Sequence, residues 1–127
     1  MKFASKDIVM AYDTDYQGVV HYASYFRFVT NALETFAAKH KLPSASFVTA
    51  EAHATYKKPL RVNDIIYVVI EPQVMSKKAI KFGFRIYKSK SKLLVAEGYV
   101  VEVAIGKNWH AVDMPASVLK RLKQNPD

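Results

Sequence analysis

Two aspartates that stand two positions apart, Asp13 and Asp15, are the residues of this chain best placed to do chemistry. Gly18 follows them shortly after the turn, and a helical pattern begins at Tyr22. The first N–H groups of a helix have no acceptor within the helix, and the helix dipole favours negative charge there. The spacing can therefore place a carboxylate beside N–H groups able to hold an oxyanion, a combination suited to acyl transfer.

The same aspartates also suit a purely structural role, since Asp side chains bond neighbouring N–H groups in turns. The rings of Tyr12 and Tyr22 are typical of ordinary core aromatics, so Tyr22 matters here through its backbone N–H. The residue types alone leave catalysis and turn formation open.

The apolar pattern predicts one long helix among antiparallel strands. After a first strand over residues 8–12, apolar residues recur at spacings of three and four, at Tyr25, Phe28, Val29, Ala32, Leu33, Phe36 and Ala37. Glu34 is an isolated acid on this mostly apolar helix. Strands are predicted over residues 47–56, 65–70, 80–86 and 93–105, with a turn into 109–112 and a short helix over 116–123. The length of 127 residues predicts one domain, 1–127.

These elements predict an α+β fold with a long central helix wrapped by a curved antiparallel sheet of five or six strands and a short C-terminal helix. One helix cannot cover a sheet of that width, so we expect self-association as a homodimer or homotetramer.

Composition excludes several classes of protein. The chain has no cysteine, which excludes disulfides, thiolate metal sites and a cysteine nucleophile and fits a cytoplasmic location. The N-terminal residues lack the apolar run of a signal peptide, and no stretch approaches the roughly 20 apolar residues of a membrane span. His40, His53 and His110 share no metal-ligand spacing, so no metal is predicted.

The chain is strongly basic, with 19 basic and 11 acidic residues and a net charge of +8. No acidic residue stands between Glu71 and Glu97, a segment that holds Lys77, Lys78, Lys81, Arg85, Lys88, Lys90 and Lys92. A solvated sheet face and an anion site both explain this charge. Nucleic-acid binding is a further alternative, although no base-reading element is recognised.

With these motifs in view, the chain resembles the hotdog-fold acyl-CoA thioesterases, in the branch of 4-hydroxybenzoyl-CoA thioesterase. The residues that carry the resemblance are Tyr12-Asp13-Thr14-Asp15, Gly18-Val19-Val20 and Tyr22-Ala23-Ser24-Tyr25-Phe26-Arg27-Phe28. A second motif, Tyr56-Lys57-Lys58-Pro59-Leu60-Arg61-Val62-Asn63-Asp64, is similar to the family's aromatic, proline and Asn-Asp turn. The resemblance covers nearly the whole chain.

The resemblance implies hydrolysis of an acyl thioester to a free acid and the CoA thiol. It assigns the catalytic carboxylate to Asp15, as nucleophile or as general base for a water, and the oxyanion site to the N–H of Tyr22. Gly18 would let the chain turn close to the substrate, and Asp13 would orient the loop. His21 stands one position earlier than the histidine of many relatives, so substrate contact competes with a capping or subunit-contact role.

Coenzyme A, as part of the substrate, is the expected ligand, and no separate cofactor is predicted. Its phosphates suit Lys and Arg. The resemblance places the phosphate contacts at Lys77 and Lys78, often from a neighbouring subunit, with Lys57, Lys58 and Arg61 as second candidates. An acyl carrier protein is an equally anionic alternative. A module that binds acyl-CoA without cleaving it is the alternative function.

Overall fold

The computed structural model describes residues 1–43 and 46–123, in which five antiparallel strands form one sheet and a long helix crosses one face of it. The elements, in chain order, are β1 (Phe3–Ile8), α1 (Tyr25–Lys39), β2 (Phe47–Tyr56), β3 (Ile65–Val74), β4 (Ala79–Lys88), β5 (Leu94–Ala104) and α2 (Ala116–Lys123). The strands lie in the order β1-β3-β4-β5-β2, and each neighbouring pair is antiparallel. The number of strands is the lower of the two expected.

Helix α1 packs on the sheet because its apolar side chains share one face. The buried residues of the helix are Tyr25, Phe28, Val29, Ala32, Phe36 and Ala37. The ring of Phe36 packs edge-on against Phe3 of β1 and Phe82 of β4, with centroids 5.7 and 5.9 Å apart. Burial of one Phe side chain stabilises a fold by about 1.5–3 kcal/mol, so this stripe fixes the helix across the sheet.

The central strands follow the alternation in the sequence. Ile80, Phe82, Phe84 and Ile86 of β4 are all buried, and the residues between them are on the opposite face. On that outer face, Arg85 of β4 lies opposite Glu97 of β5, and Nε of the arginine is 3.5 Å from the carboxylate. The alternation therefore separates a core face beneath α1 from a charged outer face.

The prediction of a first strand over residues 8–12 is wrong. Strand β1 spans Phe3–Ile8, and Ala11–Asp13 form a 3₁₀ turn. Because β1 is a polar edge strand paired with β3, no apolar run marks it in the sequence. The apolar residues that follow β1 do not form a strand. Val9 is buried in the core, whereas Met10 and Tyr12 are exposed.

The segment that would have formed a sixth strand is reduced to a single bridge between Ile105 and Ala111. Asn108 and Trp109 adopt φ angles of 65° and 61°, which are incompatible with a strand. Helix α2 has the bounds that the sequence predicts. Within residues 1–43 and 46–123, no helix is both long and apolar enough to cross a membrane.

The direction of α1 defines two ends of the molecule. We call the end at the N-terminus of α1 the helix-start end and the end at its C-terminus the helix-finish end. At the helix-start end, the Tyr56 hydroxyl donates a hydrogen bond of 3.1 Å to the carbonyl of Tyr22. At the helix-finish end, Arg121 of α2 donates to the carbonyl of His40, and the Met114 N–H donates to the carbonyl of Lys77 at 2.7 Å. The ten residues of β4 run between these ends, a length of about 30 Å.

Candidate active site

Asp13 is a buried anchor between the turn and helix α1. Its side chain is 1% exposed. Nε and Nη2 of Arg27 donate to its two carboxylate oxygens at 2.6 and 2.5 Å, and the Met10 N–H donates to Oδ2 at 2.8 Å. The hydrogen bond to Asp13 is the main reason that the pKa of Arg27 is raised. Since both oxygens of Asp13 are occupied, this carboxylate holds the loop rather than facing a ligand.

Asp15 lies at the base of a small hairpin. Its N–H donates to the carbonyl of Val19 at 2.9 Å, and one step outward Thr14 forms a β-bridge with Val20. Oδ1 of Asp15 accepts the N–H of Gln17 at 2.8 Å, which makes an Asx turn. Among the described residues no donor reaches Oδ2, and Asp15 is half-buried, so one carboxylate oxygen is available.

Gly18 closes this hairpin. Its N–H donates to the carbonyl of Asp15 at 3.0 Å, and its φ of 79° lies in the left-handed region. A Cβ at this position would meet nothing within 4 Å. The structural requirement for glycine is therefore the backbone conformation of the turn, which a side chain would strain.

The helix start follows directly from the hairpin. The His21 N–H donates to the carbonyl of Asp13 at 2.8 Å, and His21 Nδ1 accepts the N–H of Ala23 at 3.2 Å. His21 therefore caps the 3₁₀ turn Tyr22–Ser24 that leads into α1, which is one of the roles that the sequence left open. Tyr22 is the first residue of that turn, so its N–H has no acceptor within the helix.

A groove lies against the helix start. It is lined by Val20, Tyr22, Tyr25, Tyr56, Lys57, Lys58 and Pro59. The rings of Tyr25 and Tyr56 are 4.9 Å apart, and the Tyr25 hydroxyl points to the carbonyl of Lys58 at 3.5 Å. Burial raises the pKa of Tyr25. Lys57 is 3.3 Å from Glu97, so the groove is bordered by one paired lysine and by Lys58.

The candidate basic residues fall into two groups. Lys57 and Lys58 border the groove at the helix-start end, and Arg61 follows Leu60, whose carbonyl accepts the N–H of Val20 at 2.8 Å. Lys77 and Lys78 lie in the turn between β3 and β4 at the helix-finish end, where Lys78 pairs with Asp113 at 2.5 Å. Within one chain, Lys77 and Lys78 therefore lie at the opposite end of β4 from Tyr22.

Arg27 is the site residue that the sequence prediction missed. It is a charged residue inside the aromatic stretch of the helix start, which is the signal that could have revealed a buried partner. Among residues 1–43 and 46–123, no group of three or more His, Cys, Asp or Glu side chains is arranged to hold a metal ion.

The fold and this site define a hotdog-type domain, and comparison with known proteins identifies its family. The model of the thioesterase-like superfamily matches residues 9–122, so the chain belongs to that superfamily. A protein of Aquifex aeolicus (strain VF5) named "Putative esterase" is 29% identical over 130 residues, which cover 97% of this chain and 99% of that protein.

Two solved structures establish the fold. The 1,4-dihydroxy-2-naphthoyl-CoA thioesterase of Synechocystis superposes with a TM-score of 0.89 at 18% identity, over 96% of each chain. A 4-hydroxybenzoyl-CoA thioesterase mutant in complex with 4-hydroxybenzoyl-CoA superposes with a TM-score of 0.84 at 15% identity, over 94% of this chain and 96% of that one. The predictions of the hotdog fold and of a thioester hydrolase family are confirmed.

Proposed function

We propose that this protein hydrolyses acyl-CoA thioesters, with Asp15 as the reacting carboxylate and the Tyr22 N–H as the oxyanion donor. The observation that carries the proposal is that hydrogen bonds connect the segment of Asp15 to the helix start at Tyr22. The Thr14–Val20 bridge and the hydrogen bond from the His21 N–H to Asp13 close the chain between Asp15 and the helix start. Among the described residues, a carboxylate oxygen without a donor and a helix N–H without an acceptor thus belong to one small, hydrogen-bonded unit.

The chemistry follows from these two groups. The N–H of Tyr22 would hold the thioester oxygen as negative charge develops on it. Asp15 would either attack the carbonyl carbon or take a proton from a water that attacks it. In both routes the carbon–sulfur bond breaks and the CoA thiolate leaves. In the nucleophilic route, water then cleaves the acyl–aspartyl anhydride and regenerates the carboxylate.

The test is the substitution Asp15→Asn. The amide oxygen of Asn can still accept the Gln17 N–H, so the hairpin should remain intact while the charge is lost. We expect thiol release from acyl-CoA substrates to fall by at least about 100-fold. Glu71→Gln, on the exposed face of β3, is the matched control and should retain full activity. Unchanged hydrolysis by Asp15→Asn would remove Asp15 from the mechanism.

Binding without cleavage is the alternative function, and one observation favours it. His21 caps the helix start through Nδ1, so this nitrogen is engaged by the Ala23 N–H and is not available as a base beside Asp15. A binding module would be stabilised against heat by acyl-CoA without releasing thiol. Thiol release that depends on Asp15 would exclude it.

A further inference from the structure

An apolar cavity of about 320 Å³ lies between helix α1, the sheet and helix α2. Its walls include Phe26, Val29, Leu33, Phe82, Val100 and Val118. The near end is at Phe26, one helical turn beyond Tyr22, and the far end is at Leu42 and Phe47. The cavity therefore begins beside the helix start and extends along the helix toward its last turn.

The near end of the cavity lies in the first turn of α1, which directly follows the 3₁₀ turn that begins at Tyr22. Phe26, Thr30 and Glu34 stand four positions apart on α1, so they form one stripe along the helix, and all three line the cavity. From Phe26 to Glu34 the helix rises by roughly 12 Å. An acyl group with its carbonyl at Tyr22 would run along this stripe toward Glu34.

The far part of the cavity contains an acid that its apolar surroundings do not explain. Glu102 of β5 lines the cavity between its cross-strand neighbours Thr49 and Ile80, and its Oε2 is buried without a hydrogen-bond partner among the described residues. Burial raises the pKa of Glu102, and the charge of Glu34 across the cavity raises it further, against a hydrogen bond from Thr49 that lowers it. Buried oxygens without a partner are uncommon because each one destabilises the fold.

We propose that Glu102, together with Glu34, binds a hydroxyl group at the far end of an extended acyl chain. This inference rests on the proposed function, since it places the acyl carbonyl at Tyr22. A hydroxyl suits the pair because it can donate to a carboxylate and accept from a protonated carboxyl. The apolar walls between Phe26 and Val118 would bind the aliphatic part of the chain. The preferred substrate is therefore a long-chain acyl-CoA that carries a hydroxyl near its terminus.

The experiment compares straight-chain acyl-CoA thioesters of increasing length, each with a terminal methyl, hydroxyl or amino group. Their binding is measured by calorimetry on the Asp15→Asn protein, and kcat/KM is measured on the protein with Asp15 intact. We expect the hydroxyl to improve binding over the methyl by up to about tenfold, only in chains long enough to reach Glu34. Short acyl chains should show no such difference.

Two variants assign this preference to Glu102. Glu102→Leu removes the polar group and should abolish the preference for the hydroxyl, whereas Glu102→Gln retains a hydrogen-bonding side chain and should keep most of it. Glu71→Leu, on the outer face of the sheet, is the matched control and should leave the preference unchanged.

The outcomes separate this inference from the proposed function. If methyl-terminated chains bind as well as hydroxylated chains of every length, the assignment of Glu102 is wrong, even where hydrolysis still depends on Asp15. Tighter binding of the amino-terminated chain than of the hydroxylated one would also overturn it, in favour of a cation site. If no acyl-CoA releases thiol while the hydroxyl preference in binding persists, the proposed hydrolysis fails and the ligand site stands.

Discussion

Asp13 and Asp15 have the same side chain but opposite surroundings. Asp13 is buried and receives Arg27 and a backbone N–H, so its charge is neutralised by contacts that hold the loop on the helix. Asp15 is half-buried and has one oxygen in an Asx turn. The first carboxylate stabilises the fold, and only the second is available to a substrate.

This difference predicts that replacing Asp13 lowers stability more than replacing Asp15 does. Asp13→Asn should lower the free energy of unfolding by about 3 kcal/mol, because it removes the buried negative charge that Arg27 contacts and leaves the guanidinium only Asp7, at 3.9 Å, among the described carboxylates. Asp15→Asn should lower it by less than about 1 kcal/mol, since the Asx turn can re-form. Urea denaturation of the two variants measures both values. Equal losses of stability would contradict the division of roles.

The geometry of the site explains which residues could be predicted from the sequence. The spacing of Asp15, Gly18 and Tyr22 is local, so the chain order itself indicated a turn followed by a helix start. Arg27 lies 14 positions from Asp13, and nothing in the spacing of the two residues marks them as a pair. The capping role of His21 depends on a backbone N–H two residues ahead, which the sequence allowed but did not distinguish from substrate contact.

Strands with one buried face were predictable, and the polar edge strand was not. Strand β4 alternates apolar and polar residues because one of its faces lies under α1. Strand β1 reads FASKDI, and its position is set by pairing with β3, in which Phe3 lies opposite Ile70. That pairing is a tertiary contact between distant segments, so sequence periodicity could not reveal it.

The segment after β2 brings charge to the helix start, which predicts a role in binding the CoA phosphates. Lys58 borders the groove beside Tyr22, and a charge-assisted hydrogen bond is worth about 1.5–3 kcal/mol. Lys58→Gln should therefore raise KM for acyl-CoA by about tenfold with little change in kcat. It should not affect the acyl-pantetheine thioester, which lacks the nucleotide phosphates.

Lys6→Gln on the edge strand β1 is the matched control, since it removes the same charge away from the groove. Steady-state kinetics with acyl-CoA and with acyl-pantetheine measure KM and kcat of both variants. An equal rise of KM for acyl-CoA and acyl-pantetheine would place Lys58 outside the phosphate site.

At the scale of the whole molecule, the basic residues are divided between its two ends. Lys57 and Lys58 border the groove at the helix-start end, and Lys77 and Lys78 lie at the helix-finish end. The length of β4, about 30 Å, separates the two groups. If Lys77 and Lys78 bind the phosphates of a substrate at Tyr22, that Tyr22 must belong to another subunit. Self-association, predicted from the width of the sheet, would then be a condition for a complete site.

Mixing two inactive variants tests this arrangement. Asp15→Asn lacks the reacting carboxylate but retains its lysines, and the double variant Lys77→Gln/Lys78→Gln retains Asp15 but would lack the phosphate contacts. In a mixed assembly, one site receives Asp15 from the second chain and both lysines from the first. In an equal mixture refolded together, about one site in four combines Asp15 with both lysines, so we expect activity at low acyl-CoA concentration to recover toward about a quarter of that of the unmodified protein. The two proteins refolded separately and then combined are the control. Failure to recover, in an assembly that sedimentation shows to be mixed, would confine each site to residues of one chain.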